Sequence, residues 1–516
     1  MAIVDFQNCF ILIMLCFVSF LCYSLLFKKP KESRAGFDPP PSPPSLPIIG
    51  HLHLLLSSLP HKSFRKLSSK YGPILSLRIF NVPVVVISSA SLAHEIFTTH
   101  DLNISSHGHP AIDESLFFGS FSFLLAPYGD YWKFTKKLLV TKLLGPQSLD
   151  RLRSARSDEL ERFQANLLDK VIKNETVEIA KEAIKLTNNS ICRMIMGSSC
   201  VEENGEAERV RELVNDSFSL FKKYFMAQLL RKPLQKFGIS LFRKELMSHS
   251  SKFGELLERI IAQHEEKLDY RDGADMIDVF LAAYRDENAE YRITRHHIKS
   301  LFVDLILGGT DTSAQAMEWT MAEIVNNSNV FDRLRGEIDS VVGKSRLIQE
   351  TDLPNLPYLQ AVVKEGLRLH PPSPLLLRKF IQGCNVGGFY IPKNTTLLVT
   401  GYDVMRDHDS WEDPDEFKPE RFLASSTREE EEIKEKTLKY LPFGSGRRSC
   451  PGVNLAYIFV GTAIGVMVQC FDWRINGDKV NMEESVAGLT LNMAHPLRCT
   501  PVARNLNLNF KSADVI

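Results

Sequence analysis

The chain of 516 residues has no net charge, since 62 basic residues balance 62 acidic ones. With no basic excess, nothing global draws it onto nucleic acid. Its nine cysteines form no C-x-x-C pair and no metal-finger spacing. That argues against a disulfide framework and against a structural zinc. Scattered free thiols fit a reducing compartment, where one functional cysteine is chemically reasonable. Internal repeats are also missing, and no long linker divides the body. Length alone admits several domains. The economical reading is one large domain, mainly α with small β-sheets (α+β).

Charge is absent from residues 9–27, CFILIMLCFVSFLCYSLLF. At 1.5 Å per residue, about 19 helical residues nearly span a hydrocarbon core of roughly 30 Å. A cleaved signal peptide is the alternative. No basic residue precedes the run, however, and no A-x-A site follows it. The stretch reads as a transmembrane anchor behind a short tail at 1–8. Lys28, Lys29, Lys31 and Arg34 follow directly. The positive-inside rule then keeps everything after residue 28 in the cytosol. The sequons at Asn103 and Asn174 should therefore stay unglycosylated. Residues 28–50 are a basic and proline-rich linker, stiffened by DPPPSPPSLPIIG at 38–50.

The body spans 51–516. ILSLRIF and VPVVVISS, at 74–89, are β-rich. Residues 150–345 are mostly helical, and 355–445 mix a helix with short strands and turns. Residues 424–438, ASSTREEEEIKEKTL, read as a solvated insertion. A second uncharged run, Ser449–Phe471, is long enough to cross a membrane. It holds Asn454 and Gln469, and a helix buried on all sides gives the same pattern. The segment 218–243 mixes aromatic and aliphatic residues with lysine and arginine. It reads equally as a helix pair in solvent or as one that dips into a membrane surface.

Two stretches carry chemistry. In LPFGSGRRSCPG, 441–452, glycines and two arginines surround Cys450. Pro451 suits the first turn of a helix, which would place Cys450 at a positive helix end and lower its thiol pKa. Arg447 and Arg448 add charge in the same sense. Phe443 can shelter the sulfur, and the glycines let backbone approach a flat ligand. A buried structural cysteine beside a turn remains the alternative. The second stretch is the centre of a helix of about 31 residues from His296 to Asn326, roughly 46 Å long. Its Gly308-Gly309 costs about 1 kcal/mol per glycine against alanine. A local opening of the helix would repay this by making room for dioxygen and water, with Asp311 and the Thr312 hydroxyl passing protons. A kink that serves packing is the alternative.

Phe443, Gly446, Arg448, Cys450 and Gly452 match F-x-x-G-x-R-x-C-x-G, and the chain resembles the cytochrome P450 haem-thiolate monooxygenases over nearly its whole length. Gly308–Ser313 resembles that family's oxygen-activating motif. Glu365 and Arg368 in KEGLR match its E-x-x-R, and i,i+3 spacing lets them pair. The resemblance implies haem b with Cys450 as its axial iron ligand, Asp311 and Thr312 as the catalytic pair, and Gly452 and Phe443 beside the sulfur. It also implies a buried triad of Glu365, Arg368 and Arg421. Trp132, Lys136, Arg378 and Arg448 would meet the haem carboxylates. Lys136 departs from the family's usual arginine and lacks the guanidinium fork. Met405 stands where glycine is common.

The proline-rich segment and GGTDTS resemble plant microsomal enzymes of the A type, nearest to the crucifer group around thalian-diol desaturase. That implies a single-pass protein of the endoplasmic reticulum. NADPH and flavins would act through a flavoprotein reductase partner, with cytochrome b5 as a further donor, docked by residues such as Lys137 and Arg447. Pocket walls would come from 105–127, Asp304–Gly308, 373–378 and 487–493. Their apolar character suits a lipophilic substrate, triterpenoid first and flavonoid second, that is hydroxylated, desaturated or cleaved at a C–C bond. A membrane-anchored, non-catalytic haem-binding or sensor protein is the rival reading. Mere binding needs no proton relay, so Asp311 and Thr312 speak against it.

Overall fold

The computed structural model describes residues 38–55, 59–80, 82–107, 122–197, 240–267, 275–423, 439–487 and 490–504, and scattered positions among 14–19 and 209–234. Within the expected anchor, Met14 and residues 16–19 are helical, and the rest lies outside the described residues. So do the expected insertion at 424–438, most of 218–243, and 108–121 of the first pocket wall. The chain forms two compact units: Met1–Gly108 with Leu375–Val404, and His109–Pro374 with Met405–Ile516.

The first unit is built on a four-stranded sheet of Ile74–Ile79, Val82–Ile87, Thr396–Val399 and Leu376–Lys379, in that order. The expected β-rich stretch is its leading hairpin, paired antiparallel from Ile74↔Ile87 to Ile79↔Val82. Val82–Ile87 then runs parallel to Thr396–Val399. β-branched residues suit these positions because they pack well on a pleated surface. Phe64, Leu75, Leu77, Val84 and Val86 bury the unit's apolar centre. The proline-rich segment is not a free spacer. Ser76 donates its N–H to the Pro41 carbonyl at 2.8 Å, and the Arg78 N–H reaches His51 Nδ1 at 2.8 Å. Gly50 sits at φ +64°, and a Cβ there would lie 2.1 Å from the Arg78 carbonyl oxygen, so only glycine fits the approach. The folded body thus reaches back to Pro41, ahead of the expected start at 51.

The second unit is mostly helical, as the pattern over 150–345 requires. Its axis is the helix Arg295–Asn326. Thr294 caps it, accepting the His297 N–H, while His297 Nδ1 faces the Thr294 N–H at 2.9 Å. From Ser313 to Ala322 every residue is buried, because other helices surround this stretch. Ile179–Met196 packs along it. Gly309 permits the approach, since a Cβ there would stand 2.6 Å from Ile191 Cδ1. The apolar helix Val453–Cys470 has the length and hydropathy of a membrane span but is mostly buried in the protein. Its Gln469 explains the polar interruption. The side-chain oxygen accepts the Ile348 N–H at 3.0 Å, and the nitrogen donates to the carbonyls of Gly343 at 3.2 Å and Arg346 at 3.0 Å.

Candidate active site

Cys450 lies in a loop shaped by two left-handed glycines, Gly444 at φ 67° and Gly446 at φ 71°. The loop closes on itself: the Cys450 N–H donates to the Phe443 carbonyl at 3.0 Å. The helix expected to begin at Pro451 begins at Val453, with Gly452 as its N-cap. Cys450 therefore stands outside the first turn. The Gly452 N–H still reaches Sγ at 3.3 Å. The expected depression of the thiol pKa is also corrected. Desolvation pushes the Cys450 thiol up, against smaller opposing effects of the Gly452 N–H and Lys136. The opposing cation is Lys136, not the two arginines. Surrounding protein desolvates the sulfur, yet the residue keeps exposed surface.

Around it stand three of the expected haem contacts. Trp132 and Lys136 sit on the helix Asp130–Leu138. Lys136 Nζ donates to the Ser449 carbonyl at 2.6 Å, and burial lowers its pKa. The Arg448 guanidinium lies 4.5 Å over the Trp132 ring and donates to the carbonyls of Ala126 at 2.6 Å and Phe123 at 3.3 Å. Trp132 is buried, and its Nε1 has no hydrogen-bond partner among the described residues. Arg378 belongs to the other unit. There it is buried, donates to the Leu377 carbonyl at 2.8 Å, and is pushed down to about 10 by desolvation.

Glu365, Arg368 and Arg421 come together. Arg368 donates to both Glu365 oxygens, at 2.7 and 2.9 Å, and Arg421 Nε to one of them at 2.9 Å. Glu365 and Arg368 are 0 % exposed. Arg368 also donates to the carbonyls of Met405 and Pro414, each at 2.7 Å. Met405 thus contributes a carbonyl, which any residue supplies.

On the long helix, the expected local opening is absent: Arg295–Asn326 is continuous through Gly308–Ser313. Instead the Thr312 hydroxyl donates to the Gly308 carbonyl at 2.6 Å, and Gly308 is exposed with nothing within 4 Å of a built Cβ. Of the two glycines, Gly309 serves packing and Gly308 leaves one side of the helix bare. Asp311 accepts the Thr490 hydroxyl at 2.8 Å, and burial raises its pKa. Its neighbour Thr312 does not face it, since adjacent helix positions diverge by about 100°.

Two groups here were not legible in the sequence as site residues. One is Thr490. The other is Asp304, placed in a wall expected to be apolar. Asp304 accepts the Ser122 hydroxyl at 2.8 Å and the Phe123 N–H at 2.7 Å. Burial raises its carboxyl to about 7. Its signal was the lone charge in LFVDLIL.

The family model for cytochrome P450 matches residues 40–496. The chain belongs to the cytochrome P450 family. It is 65% identical over 501 residues to cytochrome P450 705A22 of Arabidopsis thaliana, covering 97% of each chain. It is 38% identical to the 3,9-dihydroxypterocarpan 6A-monooxygenase of Glycine max, over 95% of this chain and 98% of that one. The structure of zebra fish cytochrome P450 with progesterone shares the fold, with TM-score 0.74 at 24% identity over 87% of this chain and 100% of that one. This P450 is accordingly a plant A-type, haem-dependent monooxygenase that takes haem b, with NADPH and flavins acting through a redox partner.

The residues present fit the haem. The Trp132 indole N–H is an orphaned buried donor of the kind a carboxylate satisfies. Cys450 keeps exposed surface, and a Cβ at Gly308 would meet nothing within 4 Å. The thiol's raised pKa is no obstacle, because a coordinating thiol is deprotonated by the metal.

Proposed function

We propose that this P450 oxidises a lipophilic plant metabolite, a triterpenoid by first reading, with Asp311 and Thr312 supplying protons. The observation that carries the reading is a carboxyl of raised pKa, Asp311, next in sequence to a hydroxyl, Thr312, that bonds back to the bare Gly308 turn of the long helix. In the hydroxylation form of the reaction, substrate, O2, NADPH and a proton give alcohol, NADP+ and water. The haem, when bound, supplies the oxidant through thiolate-assisted O–O cleavage. Cys450 would hold the iron, and Trp132, Lys136, Arg378 and Arg448 the carboxylates. Glu365, Arg368 and Arg421 would hold the loop behind.

Asp311, with its raised pKa, is a better proton donor near neutrality than an ordinary aspartate. It would pass its proton toward Thr312 and be reprotonated from solvent. Desaturation or C–C cleavage draws on the same residues. The name of the Glycine max relative, a pterocarpan monooxygenase, keeps flavonoid-type phenolics as the second reading.

The same reading has an anchor at 9–27 in the endoplasmic reticulum, with residues 28–40 leading to a cytosolic catalytic body. There a flavoprotein reductase, helped by cytochrome b5, would dock near Lys137 and Arg447. The test is turnover of the full chain with reductase and NADPH against matched triterpenoid and flavonoid panels. Oxidised triterpenoids with little flavonoid product are expected. Turnover of flavonoids alone would overturn the first reading.

A further inference from the structure

The hairpin Glu484–Ala487 with Thr490–Met493 lies along the long helix. Trp319 Nε1 donates to the Leu491 carbonyl at 3.0 Å, and the Leu491 N–H donates to the Pro372 carbonyl at 3.0 Å. Glu318 accepts the Leu497 N–H at 2.8 Å. These bonds fix the strand at Leu491 and the chain beyond it at Leu497. Thr490, one residue earlier, donates its hydroxyl to Asp311 Oδ2 at 2.8 Å, while Gln315 reaches the other oxygen only at 3.5 Å. The shorter hydrogen bond to the largely buried Asp311 carboxyl therefore comes from a strand expected to line the substrate pocket, and not from its own helix.

We propose that Thr490 is a positioning residue for the Asp311 carboxyl, and that through it the hairpin governs proton supply at Thr312. The proposal rests on the relay reading above. A carboxyl held by one good donor has a defined rotamer. Removing the donor leaves it buried with a weak partner and no fixed direction. The hairpin's position is in turn set by Trp319 and Pro372. A substrate that presses on the hairpin would then alter how well the carboxyl is aimed, so that coupling depends on the fit of the substrate.

The test compares Thr490→Val, Thr490→Ser and Asp311→Asn in the full-length, haem-loaded protein. The readout is peroxide released per NADPH consumed. Thr490→Val should raise it about fivefold, the factor that losing one buried hydrogen bond represents. Thr490→Ser, which keeps the hydroxyl, should stay near wild type. A residue that serves only packing would lower stability or haem loading without changing this ratio. If Thr490→Val does not load haem, Thr490→Ala takes its place. A second readout needs no turnover: in a thermal-unfolding cycle, Thr490→Val and Asp311→Asn should be non-additive. Additivity, or wild-type coupling in both Thr490→Val and Thr490→Ala beside an uncoupled Asp311→Asn, overturns the proposal and leaves the relay intact. Wild-type coupling in Asp311→Asn overturns the relay, and the proposal with it.

Discussion

Asp304 and Arg448 hold one strap of chain from opposite sides. Asp304, on the long helix, takes the Ser122 hydroxyl and the Phe123 N–H, while Arg448, in the cysteine loop, donates to the carbonyls of Phe123 and Ala126. Residues 122–126 thus tie the long helix to the cysteine loop.

Asp304→Asn tests the strap and carries a pH signature. Burial lifts its carboxyl to about 7, well above the ordinary carboxylate range. A raised carboxyl adds stability while protonated and loses it as pH climbs through the folded value. Wild type should therefore exceed Asp304→Asn in Tm by more at pH 5.5 than at pH 8. Thermal unfolding at the two pH values checks this, and an equal gap would remove Asp304 as a buried titrating group.

Glu365→Ala should leave the buried Arg368 guanidinium and the partly buried Arg421 without their carboxylate. Breaking a buried pair costs about 3–5 kcal/mol. The expected outcome is soluble protein with little haem, measured as the ratio of Soret to protein absorbance. Normal haem content in this variant would show that the triad does not hold the site.

Much of the site was legible because its residue types are rare in such spacing. The cysteine flanked by glycines, the i,i+3 Glu365 and Arg368, and the costly glycines of the long helix each stand out against a helical or loop background. Asp304 and Thr490 did not, because their meaning lies in partners 182 and 179 residues away in the chain. A threonine in a strand is unremarkable until the strand is laid beside Asp311. The helix start at Val453 is not legible for a local reason. Proline suits a first helical turn, but here the Pro451-Gly452 turn is used to aim an N–H at sulfur. The raised thiol pKa is not legible because the sequence displays charges and not burial.

Asn103 and Asn174 should carry no glycan in the plant cell. Asn103 is engaged on both sides of its amide, donating to the Gln382 carbonyl at 3.1 Å and accepting the Gln382 N–H at 2.7 Å. Gel mobility before and after deglycosylation checks this. A shift that vanishes in Asn103→Gln or Asn174→Gln would reverse the topology.

Ligation of haem iron by Cys450 is tested most directly by the carbon monoxide difference spectrum of the reduced protein. Wild type should show the red-shifted Soret band of a thiolate-ligated haem, and Cys450→Ser should lose it. A wild-type spectrum without that band, or a Cys450→Ser protein that retains it, would contradict the account.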